Sequence, residues 1–340
     1  MSAAARYSRQ ELFSPIGPSG QAALRRARVA VVGCGALGSA LAETMARAGV
    51  GALAVVDRDY VEESNLQRQS LFDEDDAARG LPKAVAAEAR LKAINSEVSI
   101  EGVVADLAAD NAADLVAGAD LVLDGTDNFE TRFLLNDVCL KGGIPWVYGA
   151  CVGSYGLALL VRPRVTPCLR CVLEEMPAPG GPTCDTVGVI GPVVQVVAGL
   201  QAAEALKLLT GRIEDLRPGV VSVDLWQNRF EVMDFGGRSP WCPACTEGRY
   251  EYLDAGAGAG SAVLCGRDAV QVRAPRGTRV DLGALASRLA GSGDVARNEH
   301  LVRFRAPGTE MVVFGDGRAI VKGVKDTAQA RSLYARYVGS

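Results

Sequence analysis

The chain has 340 residues, 49% of them hydrophobic and 22% charged, which is the composition of a folded protein with room for two or three domains of ~100–200 residues. Its net charge of −4 is too small to imply a nucleic-acid or membrane partner for the chain as a whole. His300 is the one histidine, so a Ser-His-Asp triad, an HExxH zinc site or a facial triad is built on that residue or not at all. Chemistry falls to carboxylates, Arg, Lys, Cys and backbone donors.

Taken in order, the first ten residues lack a signal-peptide core, because Arg6 and Arg9 interrupt it. No run reaches ~18 uninterrupted apolar residues, and the best, Val187 to Leu200, contains Gln195. A cytoplasmic protein is expected, whose nine cysteines serve as metal ligands, nucleophiles or buried thiols rather than disulfides. Short apolar strands are predicted at 28–32, 53–57, 98–104, 120–124 and 145–149, with helices at about 37–48, 82–95, 107–117 and 129–142 between them. That alternation predicts a parallel sheet covered on both faces. Further on come a strand at 156–161, a Pro/Gly/Cys-rich loop at 163–188, a long helix at 190–210 closed by Gly211, and paired strands near 220–225 and 230–235. The Gly/Ala-rich run around 251–262 reads as a flexible linker. Beyond it, 263–340 reads as a small strand–helix–strand–strand–helix module, with helices at 282–289 and 327–337 and a hairpin turn at Gly315-Asp-Gly317. This module has 13 Lys+Arg against 7 Asp+Glu, a net +6, which leaves −10 for the rest and supports a domain boundary at the linker.

Gly33-Cys-Gly-Ala-Leu-Gly38 follows the first strand and opens the first long helix. Such glycines allow a tight turn, close backbone approach to phosphate and close helix–strand packing. Asp57, ending the second strand, is placed to accept from a ribose. These features alone suit an NAD-dependent dehydrogenase. The next segment favours a triphosphate instead: Ser64, Asn65 and Arg68 lie just beyond Asp57, Lys83 follows Pro82 at a helix start, and Asp127 and Asn128 lie at the carboxyl end of the fourth strand. Cleaving a nucleoside triphosphate calls for an arginine, a lysine and a magnesium-holding carboxylate converging on its phosphates. Arg68, Lys83 and Asp127 supply one of each.

Arg6-Tyr-Ser-Arg-Gln10, the glycine loop, the D-x-D-x-V-E-x-S-N-L-Q-R-Q stretch over 57–69, Lys83, Thr126-Asp-Asn128 and two CxxC pairs together resemble the ThiF/MoeB/HesA family, the bacterial members of the ubiquitin-activating enzyme superfamily. The resemblance covers about residues 5–250 and implies a Rossmann-like, doubly wound, mostly parallel sheet (25–150) with a zinc-pinned antiparallel extension (151–250). It also implies an enzyme that uses ATP and Mg²⁺ to adenylate the C-terminal glycine carboxylate of a ubiquitin-like sulfur carrier, of ThiS or MoaD type, for thiamin or molybdopterin synthesis. The candidate sulfur donor is a cysteine desulfurase or a rhodanese. On this resemblance Asp57 holds the ribose, Gly33, Gly35, Ala36 and Gly38 line the nucleotide, and Asp59, Ser64, Asn65, Gln67 and Arg68 border it. Lys83 contacts the phosphates, and Asp127 holds Mg²⁺ with Asn128 beside it. Arg9 resembles an arginine that reaches the phosphates from the partner protomer, which implies a homodimer with composite sites.

Cys168-Leu-Arg-Cys171 and Cys242-Pro-Ala-Cys245 are two knuckles suited to a closed, structural thiolate Zn²⁺ site. Cys184, in a Gly/Pro loop directly before a helix, matches the family cysteine that in some members attacks the adenylated carrier and in others is dispensable. Cys34, Cys139, Cys151 and Cys265 read as core packing. Two rivals keep the fold: a dehydrogenase, which gives Arg68, Lys83 and the knuckles no role, and a tRNA-modifying relative that adenylates a nucleoside carboxylate.

Overall fold

In the computed structural model, residues 6–177, 181, 184–254, 261–264, 269–275, 277–324 and 326–339 are described, with backbone alone for 184–185 and 261–264. The chain divides into two compact units, 1–256 and 257–340.

The first unit is built on one eight-stranded sheet in the order β3-β2-β1-β4-β5-β6-β7-β8. Strands β1 (Arg28–Val32), β2 (Ala52–Asp57), β3 (Ser99–Val104), β4 (Leu121–Asp124) and β5 (Trp146–Val152) pair parallel. Strands β6 (Tyr155–Val161), β7 (Val220–Asp224) and β8 (Arg229–Met233) then continue antiparallel. The strand order reverses between β1 and β4, and open α/β sheets bind ligands outside the carboxyl ends of the strands at that point. Helices fill both faces: α1 (Ser8–Leu12), α2 (Gly17–Leu24), α3 (Ala36–Ala48), α4 (Glu74–Arg79), α5 (Lys83–Ile94), α6 (Ala112–Leu115), α7 (Phe129–Gly142), α8 (Leu169–Val172), α9 (Cys184–Val187), α10 (Gly191–Leu209) and α11 (Glu251–Asp254).

Alternation along the strands sorts the core into two layers. Val29, Val31, Val55 and Leu123 pack with α3, α5 and α10 on one face. Ala30, Val32 and Val122 pack with α7 and with Cys168 and Cys242 on the other. Helix α10 is long and apolar enough to cross a membrane, but it packs against α3, β5 and β6 and buries Val193, Val194, Val197, Ala198 and Ala202 there.

The N-terminal arm is pegged to the core. Tyr7 is 3% exposed, its hydroxyl accepts from Asn95 Nδ2 at 2.8 Å, and its ring fills the space where a side chain at Gly49 would stand. Arg9 and Leu12 are therefore presented on a docked helix, α1, and both face solvent.

Three predicted segments of this unit differ, the 163–188 loop by carrying the short helices α8 and α9. Helix 107–117 contracts to the single turn α6, because the Asn111 side chain accepts from Ala108 N (2.8 Å) and donates to Asp106 O (2.9 Å). Such side-chain-to-backbone bonds offer the chain a turn in place of a helix. Residues 251–254, placed in the linker by sequence, form α11 against α7: Tyr252 N donates to Asp137 Oδ2 at 2.9 Å, and the Tyr252 and Phe133 rings lie 4.9 Å apart. Residues 255–260 lie outside the described residues.

The second unit holds an antiparallel sheet in the order β11-β12-β13-β14-β10-β9, made of β9 (Ser261–Leu264), β10 (Ala269–Val272), β11 (Asp294–Arg297), β12 (Leu301–Ala306), β13 (Thr309–Phe314) and β14 (Ala319–Lys322). Helices α12 (Leu282–Leu289) and α13 (Thr327–Tyr337) contribute Leu285, Leu289 and Ala330 to the core over Val270, Phe304, Met311 and Val321. The sequence reading undercounts its strands. Strand β11 is largely exposed and has little apolar pattern, and β12 meets β13 across the two-residue turn Pro307-Gly308.

Burial pushes the carboxyl of Asp137 up to about 6. An acid raised in the folded state stabilises fully below its ordinary pKa of ~3.9 and loses that contribution as pH rises through the folded value. Wild-type stability is therefore expected to fall by about 2 kcal/mol relative to Asp137→Asn between pH 4 and 7. Urea unfolding across that range measures the difference, and a pH-independent gap would contradict the assignment.

Candidate active site

The glycine loop joins β1 to α3 at the topological switch. Gly33 has φ +84°, and a Cβ there would lie 2.8 Å from the Gly125 carbonyl carbon and oxygen; one on Gly38 would lie 1.8 Å from Gly33 O. Both glycines are required by the protein's own packing. Gly35 differs: a Cβ there meets nothing nearer than Gln69 Nε2 at 3.8 Å. It opens onto a cradle at the N-terminus of the 13-residue helix α3, where backbone N–H groups and the helix dipole favour an anion. Gln69 is 3% exposed, and its Oε1 has no hydrogen-bond partner among the described residues. Space that only a glycine leaves open, beside an orphaned buried amide, fits a phosphate-bearing ligand.

Asp57 ends β2 with 8% exposure. Its carboxylate accepts from Cys34 N at 2.5 Å and Asp59 N at 2.7 Å, which ties the glycine loop to the turn after β2. A carboxylate offers about four acceptor positions, so two are left for ribose hydroxyls. Burial pushes the neighbouring Cys34 thiol up, and the Asp57 charge adds to this; Cys34 is a packing residue, as are the buried Cys139 and Cys151. Cys265 lies outside the described residues.

Lys83 is the first residue of α5 and is 3% exposed. A buried ammonium needs a partner, and Asp59 Oδ2 provides it at 3.2 Å. Asp57, Asp59 and Lys83 thus stand together, whereas the convergence that the sequence predicts is of Arg68, Lys83 and Asp127. The turn after β2 adds Arg58, which that reading passed over. Its Nη1 lies 3.2 Å from Asp106 Oδ1, bridging the ends of β2 and β3, and the charges of Asp106, Asp127, Asp59 and Asp57 hold its guanidinium up against burial.

Other predicted residues have structural roles here. Asn65, 2% exposed, accepts from Glu62 N at 3.1 Å and so closes its own turn. Asn128 caps α7 by accepting from Thr131 N at 2.8 Å. Arg68 folds back to donate to Ser64 O at 2.8 Å. Ser64, Gln67 and Asp127 are exposed, and Ala36 is half-buried in the first turn of α3. Cys184 begins the four-residue helix α9 rather than standing directly before α10; its side chain is outside the described residues.

The two knuckles converge. The sulfurs of Cys168, Cys171, Cys242 and Cys245 all lie within 4.8 Å of one another, with Cys168–Cys242 at 3.6 Å, Cys171–Cys245 at 3.4 Å and Cys168–Cys171 at 3.9 Å. A tetrahedral thiolate site with ~2.3 Å metal–sulfur bonds has sulfurs ~3.8 Å apart, so the donor set and spacing fit zinc. Arg170, between the first two ligands, pairs with Glu251 at 3.0 Å and ties the knuckle to α11.

The ThiF family model matches residues 7–244. The chain belongs to the ThiF family. Over 336 residues this ThiF-family chain is 50% identical to the sulfur carrier protein ThiS adenylyltransferase of Bacillus subtilis (strain 168), covering 98% of this chain and 99% of that protein. Over 250 residues it is 43% identical to the SAMP-activating enzyme E1 of Haloferax volcanii, covering 73% and 91%. Among solved structures, E. coli MccB with MccA-N7isoASN matches with a TM-score of 0.63 at 25% identity, covering 72% of this chain and 75% of that one.

The two glycines should separate experimentally. Gly38→Ala is expected to destabilise the fold by more than ~2 kcal/mol through backbone collision. Gly35→Ala is expected to keep the wild-type melting temperature while weakening ATP binding about tenfold or more. Equal effects of both substitutions on melting would count against a ligand cradle at Gly35.

Proposed function

We infer that this chain is an ATP-dependent adenylyltransferase that activates the C-terminal glycine carboxylate of a ubiquitin-like sulfur carrier, and that the carrier is of the ThiS type, serving thiamin synthesis in the cytoplasm. One observation carries this reading: the 50% identity to a ThiS adenylyltransferase runs through 98% of the chain, including the C-terminal unit beyond the ThiF match.

The chemistry asks for alignment and charge neutralisation. A carboxylate oxygen forms a bond to the α-phosphorus of ATP while the bond from that phosphorus to the departing pyrophosphate breaks, so an anion approaches a polyanion. The residues support a division of labour. Asp57 accepts from the ribose, and the Gly35 cradle with the N-terminus of α3 holds phosphate oxygens. Lys83 exchanges Asp59 for the phosphates. Arg68 leaves the Ser64 carbonyl to meet them, and Arg9 comes from the partner protomer of a homodimer. Asp127 suits Mg²⁺, which keeps several waters and takes one or two carboxylates plus substrate phosphates; when bound, the ion would neutralise charge on the phosphates. The four cysteines suit one zinc without an open coordination position, which is a structural role.

ATP–pyrophosphate exchange tests the reading. Exchange is expected with a ThiS-type carrier and to be at least tenfold slower with a MoaD-type carrier; the reverse order would reassign the pathway, and no exchange with either would reject the activity. Lys83→Met is expected to reduce exchange by at least a hundredfold. Mixing Arg9→Ala with Lys83→Met protomers should recover part of the activity, because one composite site in the mixed dimer is intact. Failure to recover, with mixed dimers demonstrated, would place Arg9 outside the partner's site. Metal analysis should find one zinc per chain, and its removal by a chelator should lower the melting temperature.

A further inference from the structure

The loop between β4 and α7 carries Asp127 and is held by a buried ion pair that the proposed chemistry does not use. We propose that the Arg132–Asp124 pair, acting through Thr126, is a strut that fixes the backbone of Asp127 and so sets the affinity of the site for magnesium-bound nucleotide. This rests on the reading of Asp127 as the magnesium carboxylate, and makes Arg132 and Thr126 positioning residues.

Arg132 and Asp124 are 5% and 0% exposed. Burying two charges costs several kcal/mol each and is often no better for stability than an apolar pair of the same volume, so where their bonds go is informative. Arg132 Nε donates to Asp124 Oδ2 at 3.2 Å, while Nη2 donates to the carbonyls of Thr126 (2.7 Å) and Gly149 (2.9 Å). Asp124 Oδ1 accepts from both Thr126 N (2.9 Å) and Thr126 Oγ1 (2.7 Å). Thr126 is thus held by its N–H, its hydroxyl and its carbonyl. Gly125, just before it, is wedged so closely that a Cβ would lie 2.3 Å from Gly33 O and 2.6 Å from Gly38 Cα. Asn128, just after Asp127, is held as the cap of α7. The residues on both sides of Asp127 are pinned to the sheet, the glycine loop and α7, while Asp127 itself is exposed at the sheet's carboxyl edge. A metal ligand misplaced by a fraction of an ångström loses affinity, and supports of this kind prevent that.

The test is calorimetric titration of the full-length protein with α,β-methylene-ATP, with and without Mg²⁺, alongside thermal melting. Thr126→Ala removes one anchor at a half-buried position, Thr126→Ser retains it, and Arg132→Lys keeps the charge but loses the fork that reaches three acceptors. Thr126→Ala and Arg132→Lys are expected to lose about tenfold of the magnesium-dependent gain in affinity, the scale of one hydrogen bond to a charged group. Metal-free affinity should be unchanged, and Thr126→Ser should match wild type. If both variants keep the full gain, or only their melting temperatures fall, the pair is a structural staple and the proposal is overturned. Asp127→Asn separates the two layers. Loss of the gain there with none in Thr126→Ala or Arg132→Lys rejects the strut alone. A full gain in Asp127→Asn rejects the magnesium reading and the strut with it.

Discussion

Three backbones meet where side chains cannot. Gly33, Gly38 and Gly125 approach one another so closely that a methyl group on any one of them would enter another's backbone. That contact joins the end of β1, the start of α3 and the end of β4, which are the three elements bordering the switch point of the sheet. Without it the loop after β4 could not lie beneath the glycine loop, and the carboxylates that follow β2 and β4 would not share one edge. The apolar strands supply the cohesion, since burial at about 25 cal/mol per Å² is what holds such a sheet together. The glycines decide what the sheet can present.

The edge so formed is crowded with charge of both signs. Asp57, Asp59, Asp106, Asp124 and Asp127 gather around Arg58, Lys83 and Arg132, and Lys83, Arg58 and Arg132 each stand against a carboxylate at 3.2 Å. Cations paired in this way keep their positions. In the proposed chemistry this matters for Lys83: an ammonium already desolvated and oriented by Asp59 would need little reorganisation to meet a phosphate.

Much of this was legible in the sequence. The parallel core, the glycine loop, the acid at the end of β2 and the four zinc-type cysteines are local patterns, and local patterns survive folding. What escaped was created by distance. Arg58 reads as one more charge until β3 brings Asp106 beside it, 48 residues later. Gln69 looks like the tail of a motif until burial leaves its oxygen without a hydrogen-bond partner among the described residues. Asn65 and Asn128 each use a side-chain oxygen to close a local turn, which spacing does not reveal, while the Asn128 amide nitrogen lies 3.4 Å from Asp127 Oδ1. Arg68 keeps its predicted place in sequence while its guanidinium turns to its own backbone. The strands of the second unit were undercounted because β11 lacks an apolar rhythm.

The spacing of the sulfur ligands has a consequence for the unfolded chain. Cys168 and Cys242 are 74 positions apart, and between them run α10 and β7–β8. A metal bridging them would close a large ring, and by loop-entropy arguments such a cross-link costs the denatured ensemble about 4 kcal/mol of freedom. Demetallation would then act by liberating disordered alternatives as well as by loosening the native fold. Supply of the ion in the cell would govern how long each molecule persists, independently of whether nucleotide is being turned over.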